Sequence, residues 1–192
     1  MDEGGPLIGW LRVPEPSELP EELKALLRVA EEKLGFVPNV LRALALRPDH
    51  LLAWWRYYDP LMRGEGKLSR AEREMIALVV SRLNDCEYCL ASHSSYLREL
   101  TGDPTLPDRI VANWRRVEEL SERERALLAF AEAVTLDSAR LELEDIEALR
   151  SVGLDDEAIF EAAEVAAMFN YTNRLLNALG VKPNREYYFR GR

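Results

Sequence analysis

The only two cysteines of this 192-residue chain stand three apart in Asp85-Cys86-Glu87-Tyr88-Cys89, and one of its two histidines, His93, follows four residues later. A free thiol with a pKa of about 8.5 is only a few per cent thiolate at neutral pH, and the thiolate is the nucleophile, so a reactive cysteine needs help. A helix N-terminus favours negative charge on Cys86, and an imidazole one turn beyond Cys89 can take its proton or, as imidazolium, steady the anion. Two thiols at i and i+3 can also reach disulfide distance after modest rotamer changes. In a reducing compartment this pattern points to redox chemistry or a metal before a structural staple. Three zinc ligands are present in Cys86, Cys89 and His93, with His50 the one candidate for a fourth. Structural zinc sites normally draw ligands from two separated segments, so no metal is expected. A third reading makes all three inert core residues.

Asn84-Asp85 after Leu83 offers two good N-cap residues, which predicts that one helix ends there and another begins at Cys86. At about 100° per residue from Cys86, Cys89 falls near 300° and His93 near 340°, with Leu90 and Leu97 on the other side within about 40°. The reactive side chains thus share one apolar, inward-facing stripe, and Glu87 and Tyr88 are expected to point elsewhere. The preceding helix is expected over about Arg70 to Leu83, opened by the capping box of Ser69 and Glu72. It carries Glu74, whose wheel neighbours Ala71, Ala77 and Leu78 suggest burial near the thiols instead of an ordinary surface position.

Leu120 to Ala129 aligns without a gap on Leu68 to Ala77, through chance, convergent capping or a weak internal duplication. The slot of Glu74 is held there by Ala126, so the helix framework needs only something small. Further helices are expected over Glu21 to Leu34, from Pro38-Asn39 through Leu46, and over His50 to Met62. Two more run from Glu144 to Ser151 and from Asp156 to Leu179, the last stopped by Gly180 and Pro183. Trp54, Trp55, Tyr57 and Tyr58 crowd one stretch, as core, subunit interface or the wall of a pocket for an apolar substrate. No window alternates apolar and polar residues for long enough to propose a sheet. The class is all-α, with seven or eight helices in one domain over 1–192: an N-terminal helical extension at 1–62, a core at 68–100 and C-terminal helices at 120–180.

A net charge of −9 opposes phosphate backbones, so nucleic acid and anionic membrane are poor partners. No basic, apolar leader opens the sequence and no window offers about 18 uncharged apolar residues. A cytoplasmic location is the expectation.

Glu74, eleven residues, Cys86-x-x-Cys89, three residues and His93 together resemble the E-x11-C-x2-C-x3-H signature of the alkylhydroperoxidase D-like branch of the carboxymuconolactone decarboxylase family. Gly35-Phe36-Val37-Pro38-Asn39-Val40 and Phe169-Asn170-Tyr171-Thr172-Asn173-Arg174 are similar to the flanks of its peroxidase-related subgroup. The resemblance implies an all-α homo-oligomer, a trimer or hexamer, that reduces hydroperoxides without a cofactor and is recycled by a dithiol, lipoyl-linked or thioredoxin-like. It implies that Cys89 becomes the sulfenic acid, that Cys86 resolves it, and that Glu74 with His93 relays protons. Tyr88 departs from members that carry a further histidine there. Helix-dipole reasoning alone makes Cys86 the more acidic thiol, whereas the resemblance favours attack at Cys89. Competing readings are a dithiol-disulfide exchanger or redox sensor, the lactone decarboxylation that names the wider family, and a zinc-stabilised helical oligomer.

Overall fold

A computed structural model describes residues 8–192, and these contain nine α-helices and no strand. They are α1 (Glu21–Leu34), α2 (Asn39–Leu44), α3 (Pro48–Arg63), α4 (Arg70–Leu83), α5 (Glu87–Thr101), α6 (Leu106–Asn113), α7 (Glu122–Asp137), α8 (Leu143–Ser151) and α9 (Asp156–Leu179). The first seven residues of the expected N-terminal extension lie outside the described part. The all-α class holds, with one more helix than the upper expectation. Helix α6 has no counterpart in the sequence reading; it is short, and Pro107, which looks like a breaker, occupies its first turn, where a missing N–H costs nothing. Pro48 likewise begins α3 instead of separating it from its neighbour.

Helix α4 is the centre of the molecule, packed against α3, α5, α6, α7 and α9. Its residues from Glu72 to Ser81 are all buried, so three consecutive charged side chains must find partners inside the protein. Each does so on a different helix. Glu72 accepts from Arg123 of α7 at 2.6 Å, Arg73 pairs with Glu161 of α9, and Glu74 meets His93 of α5. The three pairs fix the rotation of α4, because turning it by one residue would strand a charge in the core. Gly66 lies directly over the Arg73–Glu161 pair, and a Cβ there would collide with both side chains.

Both capping boxes of the ten-residue internal match are formed. Ser69 accepts from the Glu72 N–H at 3.1 Å, and Ser121 from the Glu124 N–H at 3.2 Å. The matched helices α4 and α7 pack on each other. In each copy the aligned arginine reaches back to the approach loop, Arg73 to the Gly64 carbonyl and Arg125 to those of Arg115, Val117 and Leu120.

The main core runs from α3 to the C-terminal turn, and a smaller apolar cluster joins α1, α2 and α3 through Leu19, Leu23, Leu41 and Leu51. No helix among the described residues is long and apolar enough to cross a membrane.

Candidate active site

The turn between α4 and α5 sets the thiols. Asp85 adopts φ 48°, the left-handed region, and the Cys86 N–H donates back to the Ser81 carbonyl at 3.0 Å. This is a Schellman-type ending of α4 in which Asp85 stands where glycine is usual. Asn84 therefore closes α4, and Cys86, not Asn84 or Asp85, is the N-cap residue of α5. The Asn84 side chain is committed elsewhere: its amide donates to Asn170 at 3.1 Å and to Asn173 at 3.2 Å, both on α9. The expected start of the helix was thus one residue early, and Cys86 is set directly over the free N–H groups of the first turn.

Both cysteines are free and buried. The Cys86 thiol is held below its ordinary pKa, chiefly by a hydrogen bond from the Cys89 thiol. The Cys89 and Tyr88 backbone N–H groups and the Asn173 side chain help, against the opposing effect of burial. Cys89 is pushed up because it donates to Cys86, because it is buried, and because Cys86 carries the negative charge, with Asn173 and Ser81 only partly compensating. Cys86 is thus the more acidic thiol at rest, through the Cys89 hydrogen bond first and the helix-terminal N–H groups second. Access runs the other way: Cys89 lines a cavity of about 460 Å³, and Cys86 does not.

His93 lies one turn beyond Cys89 in the same cavity wall, and its Nδ1 meets the Glu74 carboxylate at 2.5 Å. Both residues are only 4% exposed, so Glu74 is not a surface carboxylate. The imidazole is further held by the Phe169 ring, edge-on at a centroid distance of 4.6 Å, and by Tyr96 at 5.8 Å. His50 is exposed on α3 and bonded to Arg47, away from this group, and the described residues hold no cluster of three metal-ligating side chains.

Trp54, Trp55 and Tyr58 line the cavity, which is the pocket-wall alternative for that aromatic stretch; Tyr57 faces out and donates to Glu164 at 2.7 Å. Tyr88, expected to point away, is buried in the same wall, because α5 is covered on a second side by the C-terminal turn Arg185–Tyr188. Glu87 is exposed, as expected. Arg98 ties that turn down by donating to the Tyr187 and Arg190 carbonyls at 2.7 and 2.9 Å, and so brings Tyr187 and Arg190 to the cavity.

Sequence reading missed Asn173, Ser81, Tyr187 and Phe169 as site residues. Asn173 is fully buried and donates to Ser81 Oγ at 3.0 Å beside the thiols. Two asparagines one turn apart, directly after the apolar run Val165 to Phe169 of α9, were the available signal. The two flanking motifs meet at the site: Pro38 and Val40 line the cavity with Phe169 and Thr172, and Asn39 and Asn184 clasp the two ends together through bonds of 2.7 and 3.0 Å.

The carboxymuconolactone decarboxylase family model matches residues 48–105, the stretch from α3 through α5. A peroxidase-related protein with the alkylhydroperoxidase AhpD core, from Ralstonia eutropha JMP134, has a similar structure with a TM-score of 0.94 at 37% identity, over 98% of each chain. A peroxidase-related protein from Silicibacter sp. TM1040 gives a TM-score of 0.92 at 43% identity over the whole of both chains. Mouse sestrin-2 is 31% identical over 70 residues, which are 36% of this chain and only 15% of sestrin-2.

Proposed function

We propose, for a chain that belongs to the AhpD-like branch of the carboxymuconolactone decarboxylase family, that it is a thiol-dependent peroxidase acting through Cys89. One observation carries the reading: Cys89, His93 and Glu74 line a single cavity in which the histidine is bonded to the carboxylate. As the peroxide arrives, the Cys89 proton passes to His93, whose positive charge Glu74 stabilises. The Cys89 thiolate attacks the terminal peroxide oxygen, the O–O bond breaks, and the leaving alkoxide takes the proton back from His93. Cys89 is now a sulfenic acid. Cys86, already the more acidic thiol, attacks it, water leaves and a disulfide forms. The acidity of Cys86 suits this second step, and the position of Cys89 in the cavity suits the first.

Burial of both sulfurs favours a small electrophile over a protein disulfide, which would need an exposed thiol to attack. The same burial favours a slender dithiol, such as a lipoyl arm entering the cavity, over a thioredoxin-like surface as reductant. The test is stopped-flow thiol loss with tert-butyl or cumene hydroperoxide, followed by turnover with dihydrolipoyl compounds, thioredoxin or glutathione. The expected result is oxidation much faster than that of free cysteine and recycling by the lipoyl dithiol. Oxidation at the rate of free cysteine, with intact CxxC dithiol-disulfide exchange, would replace the peroxidase with an exchanger.

A further inference from the structure

The charges that line the cavity do not cancel. Apart from the Glu74 that His93 holds, Lys33, Arg63, Arg70 and Arg190 stand there against Asp59 and Glu99, in a chain whose net charge is −9. The four cations come from α1, α3, α4 and the C-terminal segment, so the excess belongs to the cavity and not to one helix. Arg190 is already committed: its Nε donates to Glu99 at 2.5 Å and its Nη1 to the Leu34 carbonyl at 3.3 Å. Lys33 and Arg70 are exposed and make no ion pair with a described residue. Arg63 differs from all three. Its guanidinium lies 5.2 Å over the Trp55 ring and 5.7 Å over that of Tyr58, and both rings line the cavity. Its Nη1 donates to Asp59, one turn back, at 2.8 Å. The Nε–Nη2 edge, which can take a carboxylate through two parallel hydrogen bonds, makes no bond to a described residue, and the side chain is 34% exposed.

We propose that the cavity selects hydroperoxides bearing a carboxylate on an apolar body, and that Arg63 binds the carboxylate, an inference that rests on the peroxidase reading above. Val40, Trp54, Trp55, Phe169 and Leu176 supply the apolar surface for the body. From Arg63 the wall leads to the reacting group by way of Tyr58 and Phe169, in spacings of 5.7, 6.5 and 4.6 Å that end at the His93 ring. A molecule anchored at Arg63 therefore lies along aromatic faces with its far end at His93 and Cys89. The cavity volume of about 460 Å³ falls in the range of about 300–1,000 Å³ that encloses a small organic ligand. Contact with Trp55 and Tyr58 positions the guanidinium before the ligand arrives, so less freedom is lost on binding. Asp59 offsets part of its charge, and Lys33 and Arg70 add a field that draws an anion toward the cavity. The charge of Arg63 also reaches inward, where it favours the ionised form of the Tyr58 and Tyr96 hydroxyls against the effect of burial. The carboxylate takes no part in the chemistry at Cys89; it holds the peroxide in place.

The test uses three hydroperoxides of one shape: cumene hydroperoxide, its para-carboxylate and the methyl ester of that carboxylate. Single-turnover oxidation of Cys89 is compared in wild type, Arg63→Gln and Arg63→Lys, with circular dichroism as the check on folding. Binding of the unreactive 4-isopropylbenzoate and of its amide is followed separately through Trp54 and Trp55 fluorescence. In wild type the carboxylate should react roughly ten-fold faster than the ester below saturation, the effect of hydrogen bonds to a charged group, and salt should erode the advantage. Arg63→Gln should bring the carboxylate-to-ester ratio close to one, whatever it does to the absolute rates. Arg63→Lys, which keeps the charge without the fork, should retain part of the ratio. The benzoate should bind wild type more tightly than its amide does, and lose that margin in Arg63→Gln. Equal rates for carboxylate and ester in wild type, or an unchanged ratio in Arg63→Gln, would overturn the proposal while fast oxidation left the peroxidase reading intact. A wild type that binds the benzoate through Arg63 yet oxidises no faster than free cysteine with any of the three would remove the peroxidase reading and keep the carboxylate site.

Discussion

Replacing Glu74 by glutamine removes one negative charge from the centre of the protein and little else. Gln keeps the shape and one acceptor oxygen, so it can still hold the His93 Nδ1–H, but it neither balances an imidazolium nor exchanges a proton. Glu74 and His93 are each 4% exposed and 2.5 Å apart, so water screens the pair poorly. A hydrogen bond to a charged group is worth about 1.5–3 kcal/mol, and losing the ionic part of it, about 2 kcal/mol, slows the step that needs imidazolium roughly 30-fold. The fold should survive, since Ala126 fills the matching slot of α7 and Gln fills the space of Glu; unfolding stability should fall by under about 1 kcal/mol. Trp54 and Trp55 share the cavity with Cys89, so their fluorescence can follow oxidation in a stopped-flow instrument between pH 5 and 9. The deficit should be largest near neutral pH. Superimposable wild-type and Glu74→Gln profiles would refute the relay, leaving Cys89 and His93 to act without it.

Titration at 240 nm should reveal one thiolate forming below the ordinary thiol range, and Cys89→Ala should move it upward, because the Cys89 hydrogen bond is the largest influence holding Cys86 down. Asp85→Gly should raise stability by about 1 kcal/mol in urea unfolding, since the left-handed backbone at Asp85 strains any residue with a Cβ while its exposed contact with Arg82 contributes little. Light scattering at micromolar concentration should give a multiple of 22.0 kDa, and Phe160→Asp should lower it: Phe160 and Tyr171 are 65% and 57% exposed and lie three turns apart on one face of α9.

The reactive group was legible because it is local. Glu74, Cys86, Cys89 and His93 span twenty residues on two helices joined by a tight turn, and helical periodicity with one capping box orders them. The turn itself was read one residue early, because the side chain of Asn84 is drawn to α9, a partner about ninety residues away that no local rule anticipates. Tyr88 was misread for a related reason: a helix wheel assumes one buried face, and α5 has two. Tyr187, Phe169 and Asn173 reach the site only through tertiary packing. Of the three readings open for the aromatic stretch Trp54 to Tyr58, the pocket wall accounts for three of its four rings, so the ground for self-association is the exposed face of α9 instead.

Cys89 as the thiol that meets the peroxide is the central claim, and trapping its oxidised form tests it most directly. Cys86→Ser and Cys89→Ser are each given one equivalent of cumene hydroperoxide in the presence of dimedone, then digested and mapped by mass spectrometry. Both variants should lose multiple turnover, but only Cys86→Ser should carry a dimedone adduct, at Cys89. An adduct at Cys86 in the Cys89→Ser variant, with none at Cys89 in the other, would contradict the account and make the more acidic thiol the nucleophile.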